Sequence, residues 1–312
     1  MPSATTLDTE ESQLARGAKA KTMEPQLANK LERLKALIGE LGSVLVAYSG
    51  GVDSSLLLRV AVSVLGDRVQ AVIANSPTYP PSELAEAVEL AKLIGANPLV
   101  IDTEELSDSR FSENPPERCY YCKQELFKKL KAIAAGKGIR WVADGSNSDD
   151  LLDYRPGARA AREMGIVSPL KDVGLTKSEV RELARTVGLP NWSKPAQACL
   201  ASRFPYGTRI TRKELERVAA AEESLRRQGF SQVRVRVHGN VARIEVLPEE
   251  LDKILSSEVR ELVAADLKKL GFVFVSIDLE GYRTGSMNEL IERIGVSVVE
   301  SGGDGQEKRD QI

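Results

Sequence analysis

The sequence predicts an α/β protein, a doubly wound parallel sheet followed by a smaller C-terminal α+β domain. Three observations carry that expectation. Short apolar runs alternate with stretches of helical period through the first half of the chain. Glycine-bearing polar turns stand at the C-terminal ends of those runs, where doubly wound sheets gather their ligands. A Pro/Gly-rich break over residues 191–207 then separates this region from one with a hairpin pattern.

Each element can be argued in turn. Leu27, Leu31, Leu34, Leu37 and Ile38 recur at helical spacing, so a helix is expected over Leu27–Leu41, with the strand Val44–Ala47 directly after it. A turn and a helix to about Leu65 follow, then strand Val69–Ala74, helix Ser82–Ile94, strand Pro98–Ile101, a helix from about Lys123 to Ala135, and strand Trp141–Ala143. Beyond the break, the pattern gives helix Thr211–Gln228, strands Gln232–His238 and Val241–Leu247, helix Pro248–Leu270 and strand Val273–Leu279. The His238-Gly239-Asn240 turn joins the first two of these strands, its Gly-Asn pair suiting positive φ. The expected organisation is a disordered segment 1–26, a doubly wound domain 27–207, an α+β domain 208–292 and a flexible tail 293–312.

With 312 residues and 42% hydrophobic content the chain can bury a substantial core. A formal charge of −2 gives no global basic field, which argues against nucleic acid or an anionic membrane as partner. No segment is long and apolar enough to span a bilayer, and residues 1–26 lack an apolar signal region, so a cytoplasmic protein is expected.

The most informative stretch is Ser49-Gly50-Gly51-Val52-Asp53-Ser54-Ser55, which joins an apolar strand to a helix. Gly50 and Gly51 can take positive φ and let backbone N–H groups converge on an anion at a helix N-terminus, with Ser49, Ser54 and Ser55 as further donors. Asp53 has the wrong sign to touch phosphate, so its expected task is to hold a Mg²⁺ that bridges to it. A nucleoside triphosphate is therefore the expected ligand. The turns Asn75-Ser76 and Asp144-Gly145-Ser146-Asn147 end other strands and should share the crevice on its nucleoside side.

There are three cysteines: Cys119 and Cys122 in a C-x-x-C pair, and Cys199. Three thiolates could hold three irons of a [4Fe–4S] cluster and leave the fourth iron open. A dithiol redox pair at a helix start and inert thiols are the alternatives from the cysteines alone. Arg118, Lys123 and Arg203 flank them and could keep thiolates charged. In Val233–Val237 the alternation puts Arg234 and Arg236 on one strand face, which suits bidentate recognition of a phosphate or carboxylate, or else forms the solvent half of an amphipathic strand. Arg243 and Arg283 are weaker candidates, Arg155 with Asp153 suits an ion pair, and His238 suits a turn.

The S-G-G-V-D-S-S run resembles the signature of the PP-loop ATP pyrophosphatases, which cleave ATP between the α and β phosphates and adenylate an oxygen of the substrate. Narrower runs resemble the LarE family of ATP-dependent sulfur transferases, which help build the nickel-pincer nucleotide cofactor of lactate racemase. They are Lys194–Gly207 with its S-R-F-P-Y-G, Asp153-Tyr154-Arg155-Pro156-Gly157, and Asp278–Asn288 with its G-Y-R-T-G-S-M-N. The resemblance covers roughly 27–290. It implies a PP-loop, adenine nucleotide alpha hydrolase-like fold. The implied substrate is pyridinium-3,5-biscarboxylic acid mononucleotide, whose carboxylates are adenylated and become thiocarboxylates, with AMP and pyrophosphate leaving. Some members sacrifice one cysteine sulfur, whereas three-cysteine members are implied to deliver sulfur through a [4Fe–4S] cluster; Cys119 and Cys122 set this chain with the latter. The resemblance further implies Arg234, Arg236 and Ser202 around the substrate phosphate, Arg203 beside them, catalytic roles for Cys199, Cys119, Cys122 and Asp53, and a homo-oligomer of hexameric type. A tRNA thiolase with a three-cysteine cluster and a non-catalytic nucleotide or cluster carrier are the competing readings.

Overall fold

The computed structural model describes residues 23–152, 156–195 and 198–283. The expectations for 1–22, 153–155, 196–197 and 284–312, which include the end of the G-Y-R-T-G-S-M-N run, lie outside them. Helix α1 (Pro25–Leu41) buries Leu27, Leu34 and Ile38, and Gly42 ends it at φ 70°. Strand β1 (Val44–Ala47) follows; alternation sends Val44 and Val46 to one side of the sheet and Leu45 to the other, and all three are buried. A strand apolar on both faces belongs in the middle of a parallel sheet.

That sheet is completed by β2 (Val69–Asn75), β3 (Leu99–Asp102) and β4 (Trp141–Ala143), all parallel, in the order β3-β2-β1-β4. One face is covered by α1, α2 (Val52–Leu65) and α3 (Pro81–Ile94). The other is covered by α4 (Arg118–Gly136) and α5 (Pro156–Glu163), through Phe127, Leu130, Ala160 and Ala161 packed on Leu45, Val72 and Val142. Helix α4 starts at Arg118 rather than near Lys123, so both cysteines of the C-x-x-C pair lie in its first two turns and, three residues apart, on one face.

The segment between Ala143 and Asn191, for which the periodicity suggested no element, contains α5 and α6 (Lys177–Thr186). Helix α6 carries a capping box: Thr176 accepts from the Glu179 N–H while the Glu179 side chain accepts from the Thr176 N–H. Val180, Leu183 and Ala184 then close the first core.

The second sheet has the order β5-β6-β7. Helix α7 (Arg212–Arg227), capped by Thr211, leads into the antiparallel hairpin of β5 (Val233–His238) and β6 (Val241–Val246). At its turn, Gly239 has φ 60° and Asn240 has not crossed to positive φ. The single helix expected over Pro248–Leu270 is divided into a turn at Pro248–Glu250, α8 (Leu251–Leu255) and α9 (Ser257–Lys269). Ser256 breaks it: its backbone is extended at ψ 144° and its hydroxyl donates to the Lys253 carbonyl, the local competition serine offers a helix. Strand β7 (Phe274–Ile277) returns parallel to β6. Val233, Val235, Val237, Ile244 and Val246 form this sheet's core with Leu215, Val218 and Leu267, and Phe111 from the first half of the chain joins them. No helix among the described residues is long and apolar enough to cross a membrane.

Candidate nucleotide and thiol site

The turn after β1 is shaped by contacts that only glycine permits at two positions. Gly50 has φ 76°, and a Cβ there would stand 2.7 Å from the Ala87 Cβ. Gly145, at the end of β4, would place a Cβ 2.8 Å from the Ser54 nitrogen and 3.0 Å from its Cα. Gly51 is under no such constraint, with φ −72° and only the Ser49 Oγ nearby at 3.5 Å. Ser49 and Ser54 face each other at 3.2 Å, and Ser54 also donates to the Gly51 carbonyl at 3.1 Å. Ser55 is fully buried and turned away from the loop mouth, bonded to Tyr48 at 3.3 Å and accepting from Asn191 at 3.0 Å. The Asn191 amide donates to the Gly50 carbonyl as well, at 2.9 Å, and so fastens the turn. Burial pushes the Tyr48 hydroxyl up to about 12.

Asp53, in the first turn of α2, is held at both oxygens. Asn147 donates to its Oδ1 at 3.0 Å, and Lys177, the first residue of α6, pairs with its Oδ2. Lys177 was not visible as a site residue in the sequence; the Thr176-Lys177-Ser178-Glu179 capping pattern is the signal that would have placed it at a helix start. Asp144 accepts from the Ser146 N–H and from the Ser146 and Ser168 hydroxyls, which fixes the β4 turn that carries Gly145 and Asn147. Asn75 and Ser76 end β2 as expected, but their side chains serve the neighbouring elements: Asn75 donates to Asp102 at 2.7 Å, and Ser76 donates to Glu105. Behind the loop, a cavity of about 730 Å³ runs between Leu90 and Leu93 of α3 and Pro190–Lys194, meeting the loop only at Gly50 and Asn191.

The segment 76–79 links the nucleotide end of the sheet to the cysteines. The Leu200 N–H, next to Cys199, donates to the Thr78 carbonyl at 2.8 Å. Cys122 and Cys199 are half-buried against the second core, and Cys119 is exposed. Burial pushes the Cys122 thiol up, Glu105 and Cys199 add to this, and Lys123 opposes it. The Tyr79 hydroxyl is likewise pushed up, by burial first and then by Cys199, Cys122, Cys119 and Glu105. The three thiols, Tyr79 and Glu105 therefore share one electrostatic neighbourhood. Glu105 is 1% exposed; its Oε1 accepts from Ser76 and Thr78, and its Oε2 has no partner. No three or more His, Cys, Asp or Glu side chains among the described residues are gathered tightly enough to cage a single metal ion. By donor chemistry, the Asp53 carboxylate is a hard oxygen ligand of the kind a Mg²⁺ takes, and the three thiols are soft ligands of the kind an iron–sulfur cluster takes.

The arginines separate by partner. Arg234 and Arg236 do share one face of β5, but that face is buried. Arg236 forms a two-pronged pair with Glu245, at 2.9 and 2.8 Å, and donates to the Ser202 carbonyl at 2.8 Å. Arg234 donates to the Val233 carbonyl and lies 5.3 Å from the Tyr282 ring; burial, and then the charge of Arg203, lowers it to about 10. Arg203 is committed within the fold: Nε and Nη2 pair with Glu222 at 2.7 and 3.0 Å, and Nη1 reaches the Ala198 and Cys199 carbonyls and the Ser202 hydroxyl. It braces the cysteine loop from inside. Arg243 pairs with Asp278 and Glu245, Arg283 with Glu280, and His238, expected in the turn, is the exposed last residue of β5.

Comparison with known proteins bears on this arrangement. Residues 27–131 match the NAD synthase family model. The chain is 42% identical over 268 residues to the pyridinium-3,5-bisthiocarboxylic acid mononucleotide synthase of Lactiplantibacillus plantarum, covering 86% of this chain and 96% of that one. It is 45% identical over 267 residues to an uncharacterized protein of Synechocystis, spanning 86% of this chain and all of the other. A GMP synthase of Chlamydia caviae is 26% identical over 205 residues, 60% of this chain and 38% of its own length.

Proposed function

We propose, from the premise that this chain belongs to the family of the pyridinium-3,5-bisthiocarboxylic acid mononucleotide synthases, that it is an ATP-dependent sulfurtransferase acting on the pyridinium-3,5-biscarboxylic acid mononucleotide. The observation that carries the reading is the placement of the two chemistries: the glycine-shaped turn at the end of β1 and Ser76 just beyond the end of its parallel neighbour β2 lie at the same edge of the sheet, and from Ser76 the bonds through Glu105 and Thr78 lead to the Leu200 N–H beside Cys199. One end suits phosphate, the other suits soft sulfur chemistry.

In this reading the substrate carboxylate attacks the α-phosphorus of ATP, the bond to the β-phosphate breaks, and pyrophosphate leaves with its electron pair. The chain's contribution is positioning and neutralisation. The N-terminus of α2 and the Gly50–Gly51 turn cradle the phosphates, Lys177 beside Asp53 brings a cation to the mouth of the loop, and Asp53 would hold a Mg²⁺ that would neutralise further phosphate charge. A sulfur nucleophile then attacks the acyl carbon and AMP departs; repeating this at the second carboxylate consumes a second ATP. Cys119, Cys122 and Cys199 would hold a [4Fe–4S] cluster, which would supply the sulfur as a bound sulfide. We assign residues 27–207 to the nucleotide half and 208–292 to the substrate half, and place Arg234, Arg236 and Ser202 at the substrate phosphate.

Pyrophosphate release that requires the pyridinium nucleotide, together with a product heavier by one oxygen-to-sulfur exchange per activated carboxylate by mass spectrometry, is the expected result. ATP binding with no substrate-dependent pyrophosphate would overturn it.

A further inference from the structure

Four arginines are buried among the described residues: Arg118, Arg203, Arg234 and Arg236. Arg203 and Arg236 face carboxylates, and Arg234 is bonded to a carbonyl and lies within the field of Glu222. Arg118 differs. It is 5% exposed, and among the described residues its Nε and Nη1 have no hydrogen-bond partner and no carboxylate pairs with it. Its guanidinium lies 4.8 Å from the ring of Tyr206, in the loop that follows Cys199. A buried guanidinium without an anion is costly, and proteins keep one where a ligand completes it.

Its position indicates which ligand. Arg118 opens α4, directly before Cys119 and one turn before Cys122, and Glu117 provides no side-chain cap at that helix end. Two independent features, a helix N-terminus of a long helix and an unsatisfied buried cation, thus favour negative charge beside the thiols. The phosphates of ATP have their own turn at the other end of the site. The proposed substrate, however, carries two carboxylates on one ring, so that while one is at the sulfur the other stands a ring's width away and must be held without water.

We propose that Arg118 is the receptor for this second carboxylate and thereby sets the preference for a ring bearing two acids over a ring bearing one. This inference rests on the function proposed above. The planar fork of arginine matches a carboxylate bidentately, and Tyr206 fixes the plane of the fork. After the first exchange the ring turns over and the same arginine holds the new thiocarboxylate, so a single receptor serves both halves of the reaction.

The test is equilibrium binding to the full chain, without ATP, of pyridinium-3,5-biscarboxylic acid mononucleotide and of the analogue with one ring carboxylate. Wild-type protein should prefer the biscarboxylate by about 10- to 100-fold, Arg118→Met should lose that preference while binding the analogue as wild type does, and Arg118→Lys should keep part of it. Without its uncompensated charge, Arg118→Met should melt no lower than wild type. Equal weakening for both nucleotides, or a large fall in melting temperature, would make Arg118 a structural or phosphate-binding residue. Unchanged preference would mean that buried water satisfies it. Wild-type protein that binds neither nucleotide would overturn the functional reading along with this one, whereas wild-type protein that binds both equally would overturn this one alone.

Discussion

Replacing Arg203 by alanine separates a brace from a ligand. Arg203 and Glu222 are both essentially inaccessible, at 1% and 0% side-chain exposure, and meet through two hydrogen bonds. Removing one partner of a buried pair costs about 3–5 kcal/mol, because the other charge is left behind. Glu222 keeps the Val235 N–H and Arg226, each at 3.1 Å, so the lower end of that range, about 3 kcal/mol, applies here. For a protein of this size each kcal/mol lowers the melting temperature by roughly 2–4 °C, giving a fall of roughly 6–12 °C by circular dichroism. The double replacement Arg203→Met with Glu222→Leu should recover part of it, since the Glu222 charge is then no longer stranded, although the Val235 N–H and Arg234 lose that carboxylate. The pair also predicts an acid limit. Burial raises Glu222, but Arg203 more than reverses this and leaves the carboxyl below its ordinary value. A depressed carboxyl stabilises the fold above its unfolded pKa, and that stabilisation disappears as pH falls through the lower folded value. Wild type should therefore lose stability more steeply than the double variant below the ordinary carboxylate range. An Arg203→Ala protein that melts with wild type and binds the substrate tenfold or more weakly would refute the reasoning and make Arg203 a ligand.

Other expectations follow from the same geometry. Gly145→Ala forces a Cβ against the backbone of Ser54, so stability should fall by about 1–3 kcal/mol and pyrophosphate release by about 10²-fold, while Gly51→Ala should stay within about twofold before ligand approach is considered; equal effects in a coupled pyrophosphate assay would contradict the packing argument. Lys177→Met leaves Asp53 with Asn147 alone and removes a cation from the loop mouth, so pyrophosphate release should drop by about 10²-fold with the fold intact by circular dichroism; unchanged release would leave Lys177 a structural partner only. Peptide-resolved mass spectrometry during iodoacetamide treatment near pH 8 should find Cys119 modified well before Cys122, whose raised thiol stays protonated until the pH passes the ordinary thiol range; simultaneous labelling would argue against the burial of the Cys122 sulfur.

The sequence by itself determined what depends on neighbours along the chain. The alternation of strand and helix, the Gly-Gly turn after Val44–Ala47, and the pairing of Arg234 with Arg236 on one strand face are all consequences of backbone period. Where a helix is short or is interrupted by a serine, the period is too brief to read, which is why Pro156–Glu163 and Lys177–Thr186 were missed and why the Ser256 break came as a correction. Tertiary structure alone decided which side of each residue is dry and what it meets. Glu222 is 19 residues from Arg203 and Glu245 is nine from Arg236 along the chain, and only the packing of α7 and the closing of the hairpin bring each carboxylate onto its guanidinium. Gly145 is needed because a distant helix turn presses on it, whereas Gly51, within the motif itself, is not. Periodicity fixes where a side chain points; the energy of a buried charge or a crowded Cβ depends on partners that only folding brings within reach.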